Sequence, residues 1–176
     1  MNSKKLVMTV ITALAIAVTG TCFAVSKEDF VIGNIYLGQP FNEVIAKYGQ
    51  PVHQDQATEY SRYYFVKEGS SKWFLVDTMP DGDKSVLSVA INGDIKIATK
   101  AGIKTGSTAA EVKKAYGEPD ECLDTMNNRI SMDDKNYQGP CIVNYETAGW
   151  SLQFLLAGGK DAQERKVISM AMRVKS

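Results

Sequence analysis

Few residues in this chain are of a type that could carry out a reaction. The one histidine, His53, stands alone, and beyond the N-terminal segment the only cysteines are Cys122 and Cys141. A histidine-rich zinc site therefore has no ligands to draw on, and reading the two cysteines as partners of each other argues against a Cys-His nucleophile. Carboxylates gather in "PDGDKS" (80–85) and "MDDKN" (132–136), yet neither run has the spacing of a calcium loop with its distal bidentate Glu. The first reads as a hairpin turn and the second as part of an insertion. No Gly-x-Ser-x-Gly elbow or glycine-rich phosphate loop is present, and no pair of carboxylates is set apart by its neighbours. The expectation is a protein that is not an enzyme and uses no cofactor and no metal.

The elements around these residues begin with Lys4 and Lys5, followed by an apolar run from Leu6 to Val18 and small residues up to Ala24. The run is too short to cross a bilayer as a helix, and the pattern is that of a secretory signal peptide, residues 1–24, cleaved after Ala24. Lipidation of Cys22 is the alternative, against which Thr19 stands where such sites carry Leu, Val or Ile. The expected product is extracytoplasmic, periplasmic or secreted, with no membrane span. Removing Lys4 and Lys5 from the 20 basic residues leaves the 20 acidic ones in slight excess. Without basic clusters, such a chain has no electrostatic footprint for nucleic acid. In an oxidising compartment Cys122 and Cys141 are expected to form a disulfide, whose loop closure is worth roughly 3 kcal/mol in the chain-entropy model.

The chain repeats itself. "LGQPFNEVIAKYGQP" (37–51) aligns with "TGSTAAEVKKAYGEP" (105–119), placing Gly38 on Gly106, Glu43 on Glu111, Val44 on Val112, Tyr48 on Tyr116, Gly49 on Gly117 and Pro51 on Pro119. "KWFLVD" (72–77) then resembles "GWSLQF" (149–154), with Trp73 on Trp150, and "VLSVAI" (86–91) resembles "VISMAM" (167–172). The offset grows along the chain, so the second copy is the first with two insertions. Each copy opens on a short amphipathic helix, with Phe41, Val44, Ile45 and Tyr48 forming one stripe and Ala109, Val112 and Tyr116 the other. Thr108 and Glu111 fit a capping box, and both helices stop at Gly with Pro two residues on. Strand-like runs follow at 59–66, 72–76 and 86–91, and again at 141–146, 150–156 and 167–174, with a further short strand after each Pro. The fold expected is α+β: two tandem repeats, 25–98 and 99–176, each a short helix packed on a three- to four-stranded antiparallel sheet.

Strand alternation assigns faces. Trp150, Leu152, Phe154 and Leu156 are expected in the core, and by the repeat alignment Trp73 and Leu75 with them, which turns Phe74 and Val76 outward. Leu87, Val89, Ile91, Ile168, Met170 and Met172 complete the core set, with Tyr63 and Phe65, because an unpaired buried Arg62 would be costly. The open face is then expected to carry Tyr60, Arg62, Tyr64, Phe74, Gln153 and Arg173, residue types that protein interfaces favour.

Two copies of "G-x-x-x-x-E-V-x-x-x-Y-G-x-P", each followed by several strands, resemble the tandem-repeat fold of the secreted β-lactamase-inhibitor-protein-like proteins. The single unit is similar to small outer-membrane-assembly lipoproteins of the SmpA/OmlA type. The resemblance implies helices on an antiparallel sheet whose concave face binds other proteins, and a disulfide within a repeat, matched in kind by Cys122 and Cys141. Its target-contacting loops have no counterpart here, so β-lactamase inhibition is not implied. The function expected is a non-enzymatic module that binds another extracytoplasmic protein, in the manner of an inhibitor. An envelope-assembly or structural lipoprotein-like component is the alternative.

Overall fold

The computed structural model describes residues 25–80 and 84–175, so the signal segment, Cys22 and the middle of the "PDGDKS" run lie outside the described residues. A 3₁₀ turn, Lys27–Asp29, leads into a small hairpin of β1 (Val31–Ile32) and β2 (Ile35–Tyr36). Helix α1 (Phe41–Tyr48) is followed by β3 (His53–Gln56), β4 (Ser61–Glu68), β5 (Lys72–Thr78) and β6 (Val86–Asn92). Helix α2 (Ala109–Tyr116) is followed by β7 (Glu121–Asp124), β8 (Cys141–Thr147), β9 (Trp150–Leu156) and β10 (Val167–Val174).

The local signals act as their chemistry requires. Thr108 Oγ1 accepts from the Glu111 amide at 3.1 Å while Glu111 returns a carboxylate to the Thr108 amide at 2.7 Å, satisfying two donors at the start of α2. Gly49 and Gly117 end the helices at φ 81° and 80° with ψ near 180°, an extended positive-φ conformation open essentially to glycine alone. Tyr116 is buried behind that stop, its ring 5.3 Å from Tyr145 and 5.5 Å from Phe154.

The architecture corrects the expected α+β division. The protein is mostly β: one eight-stranded antiparallel sheet in the order β3-β4-β5-β6-β10-β9-β8-β7, beside the two-stranded β1–β2. The halves do not each keep a small sheet of their own. Their last strands, β6 and β10, pair with each other, Ala90 opposite Ala171. Two edges that would have offered unpaired backbone to solvent become the centre of the sheet. The helices are too short, eight residues each, to make a layer. The segment 30–37, with the β1–β2 hairpin, and the irregular segment 95–103 share the covering of that face, contributing Phe30, Ile32, Ile35, Leu37, Ile95 and Ile103 to a single core cluster with residues of both helices.

Pairing also corrects the faces. Leu75 lies opposite Ala90 and Gln153 opposite Ala171, so Leu75 and Gln153 are the true counterparts, one residue away from the alignment of the two tryptophans. Because side chains alternate with period two, a slip of one exchanges the faces. Phe74 and Val76, expected outward, are buried in the core at 1% and 0% exposure. Trp73 and Leu75, expected inward, lie on the opposite face. Leu87 and Ile168, also expected in the core, sit where the registers of β5–β6 and β9–β10 shift. Each is the extra residue of a bulge and is turned aside, and Ile168 is 39% exposed.

Phe74→Ala is therefore expected to cost stability of about 3–5 kcal/mol, as for a large aromatic removed from a packed core, and Trp73→Ala much less. Urea unfolding of the two variants beside the parent checks the order.

Candidate functional site: the open face of the sheet

The face opposite the core carries its side chains in three cross-strand rows. Asp55, Arg62, Asp77, Ser88, Arg173, Ser151 and Glu146 follow one another across seven strands, and the next row runs His53, Tyr64, Leu75, Ala90, Ala171, Gln153 and Asn144. The third passes from Lys67 through Trp73, Asn92, Ser169 and Leu155 to Ile142. Small residues occupy the seam where the halves meet, so larger ones on either side enclose a shallow groove of about 580 Å³, lined by Arg62, Tyr64, Lys67, Trp73, Leu75, Asp77, Gln153 and Arg173 among others.

Asp77 organises the groove. Arg62 donates to both its carboxylate oxygens, Nε at 2.7 Å and Nη2 at 3.0 Å, and Ser88 Oγ donates at 2.7 Å. The bidentate bond fixes the guanidinium in a plane and raises the Arg62 pKa still further. The same guanidinium lies 5.1 Å from the Tyr60 ring, and Lys67 Nζ lies 4.3 Å from the Tyr64 ring, within cation–π range. On the edge strand, His53 Nε2 meets Asp55 Oδ1 at 2.8 Å, and that contact holds the Asp55 carboxyl below its ordinary range.

Of the residues expected to bind a partner, the groove brings together Arg62, Tyr64, Gln153 and Arg173, and Tyr60 stands beside it against Arg62. Phe74 is not among them: it is a core residue on the other face. Sequence reasoning missed Trp73, Leu75 and Asp77. An acid closing the apolar run "KWFLV", with Arg62 in the neighbouring strand, was the available signal for Asp77.

Cys122 and Cys141 are free, unbonded thiols on neighbouring strands, both facing the core and both buried. Beside them Arg165, 2% exposed, donates from Nη1 to Cys141 Sγ at 3.6 Å and from Nη2 to the carbonyls of Tyr137 and Asp134. Among the described residues no carboxylate is within ion-pair distance of it. The Cys122 thiol beside Cys141, together with the Arg165 charge, pulls the Cys141 pKa down to about 7 against the effect of burial, while Cys122 is driven far up. The buried guanidinium thus has a sulfur and two carbonyls as its acceptors.

No known family model matches the chain, and neither does any curated protein. Among solved structures, the crystal structure of YjgB, a DUF4309 family protein from Bacillus subtilis, is similar with a TM-score of 0.44 and 12% identity, covering 80% of this chain and 82% of that one.

In the reduced protein, Cys141 is expected to ionise near neutral pH, seen as thiolate absorbance in the ultraviolet, and Arg165→Met to move that step upward. Since the native Cys141 pKa lies below the ordinary thiol value, the reduced chain gains stability as pH rises from about 7 to the ordinary thiol range and loses it as pH falls back through about 7; above that range the raised pKa of Cys122 opposes the gain. Arg165→Met should flatten this slope in urea unfolding of the reduced protein.

Proposed function

We propose that the protein is a non-enzymatic, extracytoplasmic binding module whose open sheet face recognises another protein. The observation that carries this reading is the composition of one groove. Tyr64, Trp73 and Leu75 supply apolar and aromatic area, and Arg62, Lys67 and Arg173 face them with Asp77 as the single carboxylate of the lining. Aromatic and arginine side chains held rigidly on strands are the typical energetic anchors of protein interfaces. The excess of cations favours a partner segment that presents a carboxylate toward Arg173, which forms no ion pair among the described residues, and an apolar side chain toward Trp73. Such charge complementarity acts chiefly on association rate and partner choice.

Export is proposed on the N-terminal pattern of Lys4, Lys5 and the apolar run to Val18. In the oxidising exterior Cys122 and Cys141 close to a disulfide by exchange with an external disulfide oxidant, after a local adjustment of β7 against β8. The Cys141 thiolate attacks one oxidant sulfur and expels the other as a thiolate, and Cys122, losing its proton, then displaces the second, so that both electrons leave with the oxidant as a dithiol. The intact mass of the exported protein checks both steps. Cleavage after Ala24 and a mass two hydrogens below the dithiol are expected; retention of residues 1–24 or alkylation of free thiols in the native protein would remove this part.

The docking face is tested by a photo-crosslinking residue at Gln153 and, as control, at exposed Lys47 on α1. A specific adduct is expected at 153 alone, weakened at least tenfold by Trp73→Ala with Arg173→Glu at unchanged melting temperature. Equal crosslinking at both positions, or an adduct indifferent to the double variant, would exclude the open face.

A further inference from the structure

The two halves differ most at a groove on the other side of the sheet, between each helix and its edge strand. In the second half the connection 125–140 between β7 and β8 folds over this groove as a strap. Met132 sits in the core at 3% exposure, Ile130 packs against it, and the Asp133 carboxylate accepts from Lys113 of α2 and from Gln163. The strap also adds to the edge of the sheet: the Ile130 amide donates to the Cys122 carbonyl at 3.0 Å, and Leu123 bridges Arg129. Arg165 holds it from beneath through the carbonyls of Asp134 and Tyr137.

In the first half the corresponding connection, 57–60, is too short to do any of this. What it leaves is an open groove of about 550 Å³, walled by Phe41, Ile45, Pro51 and Tyr63, with Gln54 and Lys84 at its rim. The sheet registers and the helix repeat set these residues in the places of the strap-bound ones. Pro51 corresponds to Pro119, Gln54 to Cys122 and Tyr63 to Val143, and Lys84 to Arg165. Strand β3 is an edge strand, exposed along its whole length, and among the described residues nothing pairs with its outer side.

We propose that this groove is a second recognition site, for an extended protein segment that adds to the edge of β3 at Gln54, lays a long apolar side chain between Ile45 and Tyr63, and follows it with a carboxylate near Lys84. The chain's own solution in the second half specifies the edge pairing and the apolar side chain, through Ile130 and Met132. Asp133 there pairs with Lys113, whose place in α1 is taken by Ile45, so in the first half the carboxylate falls to Lys84. Strand addition supplies main-chain hydrogen bonds, and the pocket supplies the preference for a particular side chain. Lys84 Nζ, now resting 3.3 Å from the Tyr63 hydroxyl, is the cation at hand for the carboxylate. This site is independent of the open face and lies on the opposite side of the sheet.

The probe is the synthetic peptide of residues 128–136, Asn-Arg-Ile-Ser-Met-Asp-Asp-Lys-Asn, titrated to millimolar concentration into the ¹⁵N-labelled chain starting at Val25. Saturable amide shifts confined to α1, β3 and Lys84 are expected, lost with a peptide carrying Ala in place of the methionine and weakened severalfold by Lys84→Ala. Gln56→Pro, which removes the edge amide corresponding to that of Asp124, the donor to the Asn128 carbonyl in the second half, on an exposed edge where the fold tolerates it, is expected to abolish binding while leaving the rest of the spectrum unchanged. Absence of shifts at millimolar peptide, shifts centred on Tyr64 and Gln153, or binding indifferent to both the methionine and Gln56→Pro would each overturn the proposal.

Discussion

The pairing of β6 with β10 is the interaction on which the molecule depends. Each half ends in a strand with one apolar face, Val89 and Ile91 in the first and Met170 and Met172 in the second. Neither half could leave that strand at an edge without exposing its backbone ladder to solvent and to other chains. Joined antiparallel, Met170 against Ile91 and Met172 against Val89, the strands bury both faces in one core. They also align the outer faces of the two halves into rows that cross from β3 to β8. Without the seam there is no extended open face, since Arg62 and Arg173 belong to different halves.

The seam also explains the position of the groove. At the junction the outward residues are Ser88, Ala90, Ala171 and Ser169, small enough that Trp73 and Leu75 on one side and Gln153 on the other stand above them. Asp77 and Arg62 at its end are tied to each other, so the guanidinium is presented in a fixed plane without an ordering cost at the moment of binding. The price of a half-buried ion pair is thereby offset by rigidity where contact is made.

The repeat, both helices with their glycine stops, and most strands were legible in the sequence because each rests on local chemistry: a 3.6-residue stripe, a capping box, a residue that tolerates positive φ. The joined sheet was not legible, since nothing in the β6 or β10 pattern distinguishes an edge strand from a central one. The faces of β5 were lost to a single residue. Matching Trp73 to Trp150 was the natural alignment by residue type, but pairing through Ala90 and Ala171 sets Lys72, not Trp73, in the place of Trp150. Bulges at Leu87 and Ile168 hid two further positions, because an inserted residue breaks alternation without leaving a composition signal. Arg62, Tyr64, Gln153 and Arg173 were found because their strands carry no uncorrected shift between the residue and the evident core positions.

Departures from the repeat tell where the two halves have been put to different use. Where the second half has Arg165, Cys122 and Cys141 beneath a strap, the first has Lys84, Gln54 and Ser61 beneath open space. The burial of Arg165 follows from the strap, since the carbonyls of Asp134 and Tyr137 that accept from it come from that insertion. The neighbouring Cys122 thiol and then the guanidinium draw the Cys141 pKa down to about 7 in the reduced chain. Closing the disulfide would remove this titrating thiol and leave the cation with its carbonyl acceptors. Strap, cation and thiol pair therefore form one unit: the insertion covers the groove, the arginine holds the insertion, and the same arginine reaches the Cys141 sulfur. The first half, lacking all three, keeps its groove and its edge strand accessible.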